Sequence, residues 1–320
     1  MKALVTGGAG FIGSHLAEAL CRRGAKVVVL DNLSEGRLEN LAWRKSGDEL
    51  DFVQGDLSDE KLLRQIVPGC TWVFHEAAIT SVPKSVADPL ASHTVNVDGS
   101  LRLLLAAREA GVKRFLLASS SAIYGDNEVS PQREALPPRP LSPYALHKFA
   151  AEKYGQLFHQ LYGLQTVSLR YFNVFGPRQA FNSPYSGVIA KFCTAMLQGQ
   201  PPTIYGDGTQ TRDFTFVDNV IAANLQAAEA SGEKVAGRVF NVGGGASISI
   251  LQLVEELNRL TDQTLQPRFE PARGGDVLHS CADISAIQSA IGFRETEGWR
   301  EGLRRTLDDY RQQLPPHRQC

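Results

Sequence analysis

The octapeptide TGGAGFIG, residues 6–13, most narrows what this chain can become. It follows an apolar run, KALVT at 2–6, and precedes a stretch, 12–23, whose apolar residues recur with helical spacing. Glycines at 7, 10 and 13 in a strand-to-helix turn have separate uses: Gly7 permits a tight turn, Gly10 lets the backbone approach a pyrophosphate, and Gly13 lets the helix pack close to the strand. The backbone of Phe11 and Ile12 then opens the helix, whose N-terminus faces the anion. The next run, KVVVLD at 26–31, ends on Asp31, followed by Asn32. An acid at this strand end holds ribose hydroxyls and repels a 2'-phosphate, so the pattern predicts NAD in preference to NADP. Arg37, six residues later, leaves a dual preference open.

Further apolar runs, LDFVQGD at 50–56, TWVFHEAA at 71–78, KRFLLASS at 113–120 and QTVSLRYF at 165–172, alternate with helical patterns at about 93–110 and 142–162. This rhythm predicts an α/β fold, a Rossmann-type doubly wound parallel sheet with helices on both faces. After residue 172 it loosens: helices are expected at about 187–198 and 217–229, then a strand-like RVFNVGG, then two or three helices. The expected organisation is therefore discontinuous, with an NAD-binding sheet domain at 1–172 plus 216–242. A smaller, mostly helical C-terminal substrate domain takes 173–215 plus 243–320 and closes over the carboxyl ends of the strands.

Composition excludes several classes. Hydrophobic residues make up 43% and charged residues 21%, with a net charge of -1, so a chain of 320 residues has ample core and no basic stripe for nucleic acid. The five cysteines are scattered without a C-x-x-C pair, which argues against zinc or a disulfide framework and for a reducing cytoplasm. No residue set calls for a metal. Glycines interrupt the first apolar run, which reads as strand, turn and helix rather than a secretion signal, and no run suits a membrane span.

The strand ends carry further candidates. Asp56 and Leu57 are expected to face an adenine, while Ala77 and Ala78 permit close approach of the cofactor. His75 and Glu76, in the same turn, read as hydrogen-bonded structural residues. LASSSAIYG at 117–125 brings Ser121 to the rim, and LSPYALHK at 141–148 starts a helix with Ser142 as N-cap and Pro143 in its first turn, ending at Gly163. Tyr144 and Lys148 then lie one turn apart on one face. A phenol titrates near 10, and a neighbouring ammonium brings proton transfer towards neutral pH. Ser121 is assigned as a hydrogen-bond donor to a substrate oxygen, Tyr144 as the proton carrier and Lys148 as the cation that also touches the cofactor ribose. Asn96 is expected to position the Lys side.

TGGAGFIG, Asp31, Ser121, YALHK, RYFNVFGPRQ, GDGTQTRDF and RGGD together resemble the extended short-chain dehydrogenase/reductase family, specifically its nucleotide-sugar 4-epimerases, from residue 2 to about 310. The resemblance implies a UDP-sugar between the two domains. It implies diphosphate contacts from Asn173, Arg212 and Arg273, a uridine ribose contact from Asp276, Tyr205 beside the uracil and Val188 at the edge of the nucleotide. It also implies a homodimer formed through helices 93–110 and 142–162, whose apolar positions would equally serve a monomer's core.

Within that family, 4,6-dehydratases resemble one another in an Asp-Glu pair after the catalytic Ser or Thr, and UDP-glucuronate decarboxylases place a Glu there. This chain has Ala122 and Ile123, which implies that a 4-keto sugar takes its hydride back on the other face, giving the 4-epimer. Hexose-restricted members carry a bulky Tyr four residues after the Asp of the RxGD motif, where this chain has Ser280. A small residue leaves room for a 2-acetamido group. The resemblance thus implies interconversion of UDP-N-acetylglucosamine and UDP-N-acetylgalactosamine, with UDP-glucose and UDP-galactose also accepted. Ala180 and Phe181 depart from the Asp-Pro common in that branch. The alternatives are a UDP-glucuronate 4-epimerase or decarboxylase and, in another class, a non-catalytic NAD-sensing protein.

Overall fold

Strands rich in Val, Leu and Phe, hydrophobic on both faces, are stable only with both faces covered. The computed structural model, which describes residues 1–181, 186–272 and 277–314, places them so. The strands are β1 (Lys2–Thr6), β2 (Lys26–Asp31), β3 (Leu50–Gln54), β4 (Trp72–His75), β5 (Arg114–Ser120), β6 (Thr166–Tyr171) and β7 (Arg238–Val242). They form one parallel sheet in the order β7-β6-β5-β4-β1-β2-β3. Strand order reverses between β1 and β4, which opens a crevice at their carboxyl ends.

Alternation along each strand feeds two cores. Ala3, Val5, Val27, Val29, Leu116 and Ala118 pack with helices Phe11–Arg22 and Val217–Glu229. Leu4, Val28, Leu30, Phe115 and Leu117 pack on the other face with helices Ser100–Glu109 and Pro143–Tyr162. The doubly wound class expected from the rhythm is the one observed. No described helix is long and apolar enough to cross a membrane.

The Pro143–Tyr162 helix starts as its sequence dictates. Ala145 N–H donates to Ser142 Oγ (3.2 Å), and Gly163 closes the helix at a φ of 71°. A buried ion pair then fixes it on the sheet: Arg170 Nε and Nη2 donate to the Glu152 carboxylate at 2.9 and 2.7 Å. Ser119 Oγ donates to the same carboxylate, and the guanidinium stacks on Tyr124. Tyr124 Oη in turn donates to Asn241 Oδ1 on β7 (2.6 Å).

The stretch expected as one helix over 93–110 is instead Pro89–His93, a widened π turn at Thr94–Gly99 and Ser100–Glu109. Within that turn Asn96 accepts from Ile79 N–H (2.8 Å) and donates to Ile79 O (2.9 Å), a tertiary tie that helical periodicity does not report. Two short helices went unmarked by periodicity, Glu60–Ile66 capped by Asp59 and Val82–Ala87 capped by Ser81.

Beyond β6 and β7 the chain pairs with itself. Thr203–Tyr205 lies parallel to Arg268–Glu270, and Thr211–Arg212 antiparallel to Ile248–Ser249. On this basis we propose the division into 1–172 plus 216–242 and 173–215 plus 243–320.

Removing one partner of a buried ion pair strands the other charge. Glu152→Ala is expected to cost about 3–5 kcal/mol, read from denaturant midpoints.

Candidate active site

The glycine loop is built by contact as much as by turn geometry. Gly7 has a φ of 67°, and a Cβ there would lie 2.8 Å from Ala77 N. A Cβ on Gly13 would lie 2.2 Å from Gly7 O, so the helix approaches the turn as closely as a backbone without side chain allows. Asp31 is buried beneath it, accepting from Ala9 N–H (3.0 Å) and Leu33 N–H (2.8 Å). The acid thus shapes the loop as well as facing the crevice. Asn32 Nδ2 donates to Asp56 Oδ2 (2.7 Å), tying the ends of β2 and β3.

These residues line a cavity of about 480 Å³ above the switch point. Gly7, Gly10, Phe11, Ile12, Gly13, Asp31, Asn32, Asp56, Leu57, Ala77 and Ala78 all reach it. Sequence reasoning missed the far wall, Thr80, Ser81 and Lys84 after β4 and Arg178 from the loop after β6. Lys84 pairs with Glu35 across the rim. An elongated dinucleotide with an anionic centre fits this cradle: glycine backbone at the helix N-terminus, an acid at the ribose end, and no room for Cβ atoms at Gly7 or Gly13. Asn96 lies behind this wall, fixing Ile79, and not among the lining residues.

At the neighbouring strand end the hydroxyl that hydrogen-bonds the Tyr144 phenol is that of Ser120, the residue before Ser121. Parity explains this. Ser119 shares the orientation of Phe115 and Leu117 and turns inward to Glu152, which leaves Ser120 at the rim. Ser121 already belongs to the 3-10 turn Ser121–Tyr124, where Ser120 Oγ accepts from Ala122 N–H (3.1 Å). Burial pushes the Tyr144 phenol above its usual range, and the Ser120 hydrogen bond draws it part of the way back. Lys148 is buried, and its Nζ donates to Ala118 O (2.8 Å). Burial lowers its affinity for the proton, and the Glu76 carboxylate opposes that.

His75 and Glu76 end β4. His75 is buried, with Nδ1 2.8 Å from Thr6 Oγ1 and Nε2 2.8 Å from Ser100 Oγ. Burial and the Lys148 charge push it down to about 3, so it is a neutral strut, the structural role expected of it. Glu76 is half-buried, faces the cavity and accepts from Tyr171 Oη (2.9 Å).

The residues that the family resemblance gave to the substrate gather only in part. Arg212 Nη1 donates to Thr211 O (2.9 Å) and Leu278 O (3.3 Å), and Ser280 N–H donates to Thr211 O, so the segment 278–280 lies along Thr211 and Arg212 through a bridge between Thr211 and His279. Ser280 is buried. Asn173, with a φ of 24°, donates to Asp213 O (3.1 Å) from the loop after β6. Val188 opens the helix Val188–Leu197, and Tyr205 ends its strand opposite Glu270. Arg273 and Asp276 lie outside the described residues. The departure at Ala180 and Phe181 has a structural account, because Phe181 packs on Tyr310 with ring centroids 4.8 Å apart.

Fold and cradle define a dinucleotide-dependent enzyme of the doubly wound class. The profile of the NAD-dependent epimerase/dehydratase family matches residues 3–243. The UDP-glucose 4-epimerase of Mycolicibacterium smegmatis is 39% identical over 97% of this chain and 99% of its own. A solved UDP-N-acetylglucosamine 4-epimerase from Methanobrevibacter ruminantium, in complex with UDP-N-acetylmuramic acid, is 42% identical, with a TM-score of 0.93 over 98% of this chain and 99% of that one. The UDP-glucose 4-epimerase of Thermus thermophilus, solved in complex with NAD, is 38% identical with a TM-score of 0.87, covering 98% and 100%. This chain belongs to the NAD-dependent epimerase/dehydratase family, and its cofactor is NAD.

Gly13→Ala should displace the helix N-terminus from the loop. NAD affinity, measured by calorimetric titration of stripped protein, is expected to fall about tenfold or more, the loss of at least one backbone hydrogen bond to the pyrophosphate.

Proposed function

We propose that this chain is an NAD-dependent UDP-sugar 4-epimerase that interconverts UDP-N-acetylglucosamine and UDP-N-acetylgalactosamine and also accepts UDP-glucose and UDP-galactose. The observation that carries the reaction type is the turn after Ser120. Its next side chains are Ser121, Ala122 and the fully buried Ile123, so neither Ala122 nor Ile123 supplies an acid or base beside the phenol.

Bound NAD would supply hydride acceptor and donor chemistry for C4 of the sugar. The remaining work falls to the chain. Tyr144 takes the C4 hydroxyl proton and later gives it back, Ser120 orients the phenol by its hydrogen bond, and Lys148 supplies the positive charge that a buried phenolate needs. With no acid or base at Ala122 or Ile123, the 4-keto sugar is assisted from that turn neither in losing water nor in losing carbon dioxide, and reduction on its opposite face gives the 4-epimer. The glycine cradle, Asp31, Asn32, Asp56, Leu57, Ala77 and Ala78 hold the cofactor, and Asn96 keeps its far wall in place. On the substrate side, Asn173, Arg212 and Arg273 take the diphosphate, Asp276 the uridine ribose, Tyr205 the uracil and Val188 the nucleotide's edge.

The small buried Ser280 beside Arg212 supports acceptance of a 2-acetamido group. Purified protein incubated separately with UDP-N-acetylglucosamine, UDP-glucose and UDP-glucuronate, with products read by NMR, tests the reading. The 4-epimer is expected from the first two substrates, and product from UDP-glucuronate alone would overturn the pocket assignment. Tyr144→Phe should lower kcat by about 10²–10⁴-fold. Ser280→Tyr should lose the acetamido substrates while keeping the plain hexoses, and equal retention of both would contradict the pocket argument.

We also propose a homodimer formed through the Pro143–Tyr162 helix. Leu146, Leu157 and Leu161 are 52%, 45% and 64% exposed and recur at whole turns of it. Light scattering should return twice the chain mass, and Leu157→Glu should return it to one.

A further inference from the structure

Lys148 presents an electrostatic difficulty that the Ser120, Tyr144 and Lys148 set does not resolve. The residue is 6% exposed, and its ammonium donates to a neutral carbonyl, Ala118 O at 2.8 Å. Burial disfavours the charged form of an amine, yet only the charged form stabilises a phenolate. Among the described residues, His75, at the end of β4, is neutral; Tyr144 sits on the same helix; Tyr171 ends β6; and the register that pairs His75 with Leu117 brings Glu76 beside Ala118, whose carbonyl holds Lys148, so the carboxylate facing it is that of Glu76.

Glu76 is itself held by a polar chain that crosses the sheet. Asn224, buried in the Val217–Glu229 helix, donates from Nδ2 to Tyr171 Oη (2.8 Å) and to Val220 O (2.9 Å). Tyr171 Oη donates in turn to Glu76 Oε1 (2.9 Å). The Glu76 backbone is pinned as well, with its N–H on Thr6 O (3.2 Å) and its carbonyl carbon 3.1 Å from where a Gly7 Cβ would stand. A carboxylate in a tight turn under the glycine loop, with one oxygen accepting from a buried phenol and the other side facing the cofactor cavity, exceeds what a merely structural turn residue needs.

We infer that Glu76, anchored through Tyr171 to Asn224, is a positioning residue that holds Lys148 in its ammonium form, so that Tyr144 can work as a base. Glu76 acts through Lys148 and not on the sugar. The inference rests on the epimerase reading above for its catalytic consequence, but its electrostatic content stands apart from turnover. Burial raises the Glu76 carboxyl, and the Tyr171 hydrogen bond and the Lys148 charge both pull it back towards ionisation. Burial still leaves it raised to about 7, so the chain from Asn224 favours the carboxylate without fully restoring its ordinary acidity. The sign is fixed: without the carboxylate, Lys148 loses its proton at a lower pH, and the alkaline limb of activity moves down with it.

The test is an NMR titration of NAD-loaded protein carrying [ε-13C]lysine, with the Lys148 signal assigned by Lys148→Met. In Glu76→Gln, which keeps the shape and an acceptor for Tyr171, the Lys148 midpoint is expected to fall at least tenfold in proton affinity. Glu76→Asp should restore part of that shift. Tyr171→Phe, which removes only the hydroxyl, should move the midpoint in the same direction by a smaller amount. The alkaline limb of kcat for the accepted UDP-sugar should follow the same order. A Lys148 midpoint unchanged in both Glu76→Gln and Tyr171→Phe overturns the inference, even if wild-type protein epimerises. A shifted midpoint in protein that turns over no UDP-sugar leaves this electrostatic role standing and overturns the epimerase reading instead.

Discussion

The seating of one helix on one sheet governs everything the site can do. Pro143–Tyr162 carries Tyr144 and Lys148 at its first two turns and Glu152 one turn further on. The bidentate bond between Glu152 and Arg170 fixes its distance and rotation against β5 and β6. A burial this deep is costly for two charges, and it is offset by Ser119 on the carboxylate and by Tyr124 under the guanidinium. Tyr124 extends the network to Asn241, whose amide also donates to Gln132 O and Asp283 O, so the same cluster reaches the loops beside β7. The seating of the helix that carries Tyr144 and Lys148 and the placement of the loops beside β7 are therefore set by one connected polar core.

A second constraint is the narrowness of the glycine turn. Gly7 and Gly13 leave no space for a side chain, and Asp31 holds the loop from below. The cofactor is expected to bind to backbone here and to charge elsewhere. The first requirement explains why the cradle is built from residues with little chemistry of their own. The second explains why Glu35, Lys84 and Arg178 ring its rim.

Much of this was legible in the chain. The Val-rich runs announce strands buried on both faces, the glycine spacing announces the cradle, and Ser142 with Pro143 announces the helix that carries Tyr144. What escaped depends on tertiary phase. Three consecutive serines give no indication of which one the end of a twisted strand turns to the rim, where Ser120, and not the expected Ser121, meets the phenol. The break at Thr94–Gly99 arises from a bond between Asn96 and Ile79 that lies off the helix. Glu76 read as a structural residue because its partners, Tyr171 and Asn224, are distant in sequence and meet only across the sheet. What brings Ser280 beside Arg212 is a strand of two residues and a single bridge between Thr211 and His279, below any useful periodicity.

The central claim is that one hydride leaves C4 of the sugar and returns to the same carbon within a single closed site. UDP-N-acetylglucosamine deuterated at C4 tests it most directly. Conversion to the 4-epimer with the deuterium retained at C4, without added oxidant or reductant, is the predicted result. Loss of the label to solvent, or a product that is not the 4-epimer, would contradict it.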